Sequence, residues 1–272
     1  MKKFIHLFFL LIASQISFAQ EAEPKKFSEA IEDNSFFIEE AYNQEAHVVQ
    51  HIFNFIFDKK PEKALLSTFT QEWPVGGQKN QLSYTIPYTY IEKNNTKGIG
   101  DIFLNYRYQV YDNETSAFAP RLSLLIPTGN AKNGLGNDQF ALQTNLPFSM
   151  RVSNEFAFHL NAGITTFFIN PKSSGDITDQ HVLQFNAGAS VICLVSKHFN
   201  FFLEALYYND LSKSEVTGSK YSSQYYLLNP GVRFAIDINK LQIVPGLSFP
   251  IYRGDSGEYS ATFFYLSFEH PF

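Results

Sequence analysis

The chain has 272 residues, 44% hydrophobic and only 17% charged, with 29 Phe, 15 Tyr, one Trp and a single Cys. High apolar content beside a formal net charge of −5 excludes a disordered chain, and one Cys excludes a disulfide scaffold or a cysteine-rich metal module. The acidic balance argues against nucleic acid as a partner, which leaves a folded chain rich in strand-favouring aromatics.

At the start, Lys2 and Lys3 precede an apolar run from Phe4 to Ile12, and Ser17-Phe18-Ala19-Gln20 closes it. A basic start, a short apolar stretch and a small-residue exit read as an export leader over residues 1–19, cleaved after Ala19. The run is too short for a membrane helix, which needs about 20 apolar residues. An acidic stretch, residues 20–44, follows as a periplasmic lead-in or a plug for whatever comes next. Within it, Lys26 to Ala41 admits a short helix with Phe27, Ile31 and Phe37 or Ile38 on one side. His47 and His51 are four apart, the spacing of a zinc pair on a helix, but on a strand they stand about 13 Å apart. With the strand favoured here, no metal and no cofactor is assigned.

Residues 45–272 read as segments of about ten residues with alternating polarity, separated by polar turns. In Phe140 to Val152, Phe140, Leu142, Leu146, Phe148, Met150 and Val152 share one face, and Gln139, Gln143, Asn145, Ser149 and Arg151 the other. Phe156 to Phe168, Leu183 to Val195 and Leu241 to Ile251 repeat the pattern. About twelve such segments centre near residues 51, 69, 86, 105, 121, 146, 162, 189, 204, 231, 246 and 265. Short links at 153–155, 196–198 and 237–240 alternate with long ones at 128–138, 170–180 and 210–223. That alternation predicts tight periplasmic turns and longer outer loops. Against a closed barrel stand Pro87, Pro120, Pro147, Pro230 and Pro245, each of which removes a ladder hydrogen bond inside a proposed strand.

A soluble sandwich buries its apolar faces, whereas an outer-membrane barrel turns them to lipid. The leader, the Phe- and Tyr-loaded apolar faces and the Gly- and Arg-containing polar faces favour the membrane version. The fold expected is therefore all-β: a transmembrane antiparallel up-and-down β-barrel of about 12 strands in the outer membrane, preceded by the short N-terminal segment. Phe264, Leu266, Phe268 and the terminal Phe272 share one face, and an aromatic terminus resembles the signal read by barrel-assembly machinery. Outer-membrane lipids and that machinery are the partners expected.

Alternation places Arg107, Arg121, Arg151 and Arg233 in the lumen with Asp101, Glu72, Glu204, Glu269 and His159. Buried charges must be paired or hydrated, and twelve strands leave room for a narrow path lined by them. Arg107 and Arg121, on adjacent strands, form the best candidate for a shared cluster; a surplus of arginine there would favour anionic solutes. No nucleophile elbow accompanies His159, so an enzyme is not expected.

Three segments carry a family resemblance. Gly98-Ile99-Gly100-Asp101-Ile102 running into Asn105-Tyr106-Arg107-Tyr108, Arg121-Leu122-Ser123-Leu124-Leu125-Ile126-Pro127-Thr128-Gly129, and Ile38-Glu39-Glu40-Ala41-Tyr42-Asn43-Gln44-Glu45 are similar to segments of a transporter-like outer-membrane family named for the MetA pathway of phenol degradation. The resemblance implies an outer-membrane barrel and a channel for small organic compounds, without naming the solute. Passive passage of small solutes is thus the function expected. A closed structural or surface-binding barrel is the alternative, and a lipid-modifying barrel enzyme comes third.

Overall fold

A computed structural model describes residues 30–31, 35–59, 62–113, 115–168, 179–214, 217–255 and 257–272. The leader expected over residues 1–19 lies outside them. Twelve antiparallel staves follow one another around a ring. They are β1 (Val48–Asp58), β2 (Ala64–Pro74), β3 (Asn80–Ile91) and β4 (Thr96–Ile99, Ile102–Tyr108 and Tyr111–Asp112). Next come β5 (Ser116–Phe118 and Arg121–Ile126), β6 (Ala141–Asn145 and Phe148–Arg151), β7 (Phe156–Phe167) and β8 (Asp179–Ser196). The ring continues with β9 (Phe199–Ser214), β10 (Lys220–Phe234 and Ile236–Ile238), β11 (Leu241–Ser248 and Ile251–Gly254) and β12 (Gly257–Pro271). β1 pairs with β12 from Val48↔Pro271 to Asp58↔Ala261, so the sheet closes and no edge remains. Eleven of the twelve expected centres fall on strand residues of these staves, and the twelfth, 146, falls in the break of β6.

The polarity of the two faces is the reverse of a soluble protein. On the outside, Leu160, Leu203 and Phe264 are 49%, 46% and 46% exposed. On the inside, Asn200, Glu204, Asn229, Arg233 and Ser248 are no more than 1% exposed. An apolar belt facing out and polar side chains packed within is the arrangement lipid demands.

Four of the prolines sit beside irregularities of a neighbouring stave. Pro87 faces the break at Gly100-Asp101, and its carbonyl accepts the Gly100 N–H at 2.9 Å. Pro230 does the same for Phe249 at 3.1 Å, at the break before Ile251. Pro120 and Pro147 occupy breaks themselves, and their carbonyls accept from Tyr108 at 3.0 Å and Ala119 at 3.2 Å. The lost donor is absorbed as a local bend of the wall while the acceptor stays in use. Pro245 remains in regular register opposite Leu266. The outer link expected over 210–223 is shorter than the sequence implied, because β9 and β10 extend to Ser214 and from Lys220.

Candidate functional site: a strap across the lumen

Residues 35–44 run through the barrel interior before β1 begins. No helix forms over them. Their backbone N–H groups are taken up by side chains of the wall instead of by carbonyls four residues back. Glu204 Oε1 accepts both Phe37 and Ile38 N–H at 2.8 Å, and Asn161 Oδ1 accepts Glu39 N–H at 2.9 Å. Ser149 Oγ accepts Ala41 N–H at 2.7 Å, and Gln81 Oε1 accepts Gln44 N–H at 2.8 Å. A polar lumen thus satisfies an extended segment that has no sheet partner of its own.

Apolar packing sets one end of this strap. The Phe36 ring lies 4.5 Å from Phe202 edge-on and stacks at 4.9 Å on both Phe263 and Tyr265. Ile38, 1% exposed, packs against Leu206 and Leu227. Two glycines make the room: a Cβ at Gly246 would overlap the Phe36 ring, and one at Gly188 would lie 2.6 Å from Ile38 Cδ1. The other end is held by charge. Arg107, 4% exposed, donates to Asn43 Oδ1 at 2.8 Å, to the Glu40 carbonyl at 3.0 Å and to the Tyr42 carbonyl at 2.8 Å. Arg121 grips the Glu39 carboxylate with Nε at 2.9 Å and Nη2 at 2.6 Å. Burial alone would raise the Glu39 carboxyl. Arg121, with Arg107 and the Asn145 amide, outweighs it and holds the group below the usual carboxylate range.

The expected lumen residues divide by what they hold. Arg107 and Arg121 are register partners on β4 and β5, and together they bind the strap. Their charges are matched, Arg121 by Glu39 and Arg107 by Glu72 at 3.9 Å, so an arginine surplus that would draw anions is absent from this pair. Glu204 anchors the strap backbone, with Asn229 donating to its other oxygen at 2.5 Å. Arg233 reaches Asn200 Oδ1 at 3.0 Å and the Ile31 carbonyl at 3.5 Å. His159 Nδ1 lies 2.6 Å from Ser149 Oγ, the same hydroxyl that takes the Ala41 N–H. Arg151 turns to the carbonyls of Ser153 and Asn154 at the β6–β7 turn, and Glu269 sits half-buried opposite Gln50 and Gln242. Asp101 departs from expectation. Its two oxygens accept Gly129 N–H at 2.9 Å and Asn137 N–H at 2.8 Å, so it fastens an outer loop instead of lining the path. Phe272 is 67% exposed, with its N–H donating to the His47 carbonyl at 2.9 Å.

Beside the strap, a cavity of about 440 Å³ opens toward β1–β5, lined by Asn54, Thr68, Thr70, Thr85, Arg107 and Arg121 among others. A second, of about 400 Å³, lies beyond it and shares Phe37 and Tyr208 as a common wall. Sequence reasoning missed the strap's own Glu39 and Asn43 as site residues, and the glycines that admit it. The acidic character of residues 20–44 was visible, with a plug as one of two readings; the contacts that dock residues 35–44 were not.

Residues 36–267 match the model of the family described as "Putative MetA-pathway of phenol degradation", strap and barrel together. The chain belongs to that family. Among solved structures, the MetA-pathway barrel resembles the COG4313 outer membrane channel from Pseudomonas putida F1, with 10% identity and a TM-score of 0.69 over 85% of this chain and 98% of that one. The NanC porin matches at 8% identity and 0.51 over 82% of this chain and 100% of its own. The KdgM porin matches at 8% and 0.50 over 82% and 99%. At these identities the likeness is one of fold. The sequence matches none of the curated proteins compared with it. Family, closed barrel and outward apolar belt place this chain in the outer membrane, in contact with its lipids.

Proposed function

We propose that this MetA-pathway barrel is a channel for passive passage of small solutes, organic compounds included, with no cofactor. The observation that carries the reading is the cavity of about 440 Å³, of mixed polar and apolar lining, left between the strap and the wall from β1 to β5. Thr, Asn and Gln side chains line it beside Phe and Tyr rings, and two charge-matched arginines edge it, which suits small neutral or weakly charged solutes. The proteins of similar fold are called channel and porins, and the proposal extends that role to this chain. A catalytic role for His159 finds no support, because its partner Ser149 is 0% exposed and already engaged by the strap. Residues 1–19 are taken as the leader that delivers the chain, and Phe272 as the mark recognised by the assembly machinery.

The test is single-channel conductance of the folded full chain in planar bilayers, beside a variant lacking residues 35–41. Small, steady conductance in the wild type and larger conductance in the variant supports passage beside the strap. The strap's dense anchoring favours the second reading, a closed structural barrel, and silent bilayers for both proteins would establish it.

A further inference from the structure

The second cavity has a composition of its own. Four tyrosines, Tyr208, Tyr225, Tyr252 and Tyr259, converge on it from β9, β10, β11 and β12. Tyr208 and Tyr225 stack at 4.7 Å with 17° between their planes, Tyr252 and Tyr259 at 4.8 Å with 13°, and Tyr225 and Tyr252 join the pairs at 6.3 Å. Phe37 of the strap closes the inner end. Beside the rings, Asp58 at the end of β1 and Asp255 after β11 supply carboxylates, and no Lys or Arg is among the described lining residues. Asp255 accepts the Gln224 N–H at 3.2 Å, while Asp58 Oδ1 is buried and has no hydrogen-bond partner among the described residues.

A cup lined by four electron-rich rings, an acceptor lacking a donor and a net negative lining together ask for one kind of guest. Aromatic faces attract a cation, and they do so most strongly when it is weakly hydrated. A carboxylate with an unmet acceptor rewards positive charge or a donor placed before it. A neutral aromatic would use the rings and leave Asp58 unmet, and an organic anion would face repulsion from both acids. A volume of about 400 Å³ suits a ligand the size of a substituted benzene or a small quaternary amine.

We infer that the tyrosine-lined cup between the strap and the β9–β12 wall is a binding site for small organic cations, ammonium groups carried on a compact apolar body. The inference builds on the passage proposal by naming the solute class met at the far side of Phe37, and binding and conductance test the two separately. The probe is benzyltrimethylammonium, titrated calorimetrically into the folded full chain in detergent, with empty micelles as the blank and phenol and benzoate as neutral and anionic counterparts. The expected result is one site, at least about tenfold tighter for the ammonium than for phenol, with benzoate weaker still. Asp58→Asn lowers ammonium affinity about tenfold and leaves phenol unchanged, and Tyr252→Leu weakens both. Equal binding of ammonium and phenol, tighter benzoate, or no binding at all overturns the inference on the wild-type protein alone, whatever the variants do. Ammonium binding by a barrel that conducts nothing would refute passage and leave the site standing; conductance without binding would do the reverse.

Discussion

Arg107 and Arg121 show what one residue's position in a strand conveys and what it leaves out. Parity along β4 and β5 turns both inward, and their place in consecutive segments makes them neighbours; the structure has them opposite one another. Their partners were not legible, because Glu39, Glu40, Tyr42 and Asn43 lie 64–82 residues earlier, in a segment with no periodicity to fix its place. Arg121→Gln removes a charge-assisted grip on Glu39 and should cost about 1.5–3 kcal/mol of strap docking. The check is faster protease cleavage or hydrogen exchange at residues 35–44 with the barrel intact. Changing both arginines to Gln leaves Glu39 and Glu72 without their opposing charges. Reversal potentials in a salt gradient should then shift toward cations, and an unchanged potential would remove these residues from solute handling. Acid acts on the same pair. Because docking lowers the Glu39 pKa, its contribution is fully present above the ordinary carboxylate value of about 4.5 and is lost as pH falls through the docked value. Conductance of the folded barrel should therefore rise in that acidic window and return on neutralisation.

Element by element, the staves were readable, whereas the strap was legible only as a lead-in or a plug, without its path or contacts. Alternation is a local property, so the twelve segments survive even where Pro120 and Pro147 interrupt a stave. The helix considered over Lys26 to Ala41 fails over residues 35–41 for a physical reason. Glu204, Asn161 and Ser149 offer acceptors that an isolated short helix cannot match, and the Phe36 ring finds three aromatic neighbours. Asp101 misled because parity cannot distinguish the lumen from the underside of a loop. Nor did parity reveal that Ser149, on the polar face of its segment, is 0% exposed. Gly246→Leu is the sharpest test of the strap, since the new side chain would occupy the volume of Phe36. The barrel should still form and resist heat as before, while the strap is displaced and conductance increases. A crystal structure of this variant with Phe36 still seated would contradict the packing described above.

Taken whole, the molecule is a wall with lipid on one side and polar packing on the other. Leu203→Arg, on the outer face of β9, should cost about 2–4 kcal/mol near the bilayer midplane. Thr85→Arg, facing the 440 Å³ cavity, loses the 2.8 Å bond with Thr70 and little else. Denaturant unfolding in lipid compares the two, and equal costs would defeat the assignment of faces. Removing Phe272 should lower the yield of heat-modifiable barrel in the outer membrane without altering the stability of what folds. The seam between β1 and β12 has a consequence for how such an object comes into being. The strap is joined to β1 by three residues, 45–47, and β1 forms half of the seam that closes the ring. Strap and seam are therefore coupled in time: the strap either waits inside the curling sheet as the ring shuts or must be fed in afterwards through the periplasmic opening. In the first order of events Phe36 and Ile38 give the unfinished lumen a template to curl around, so a chain lacking residues 35–41 would close slowly even if the finished barrel is just as durable.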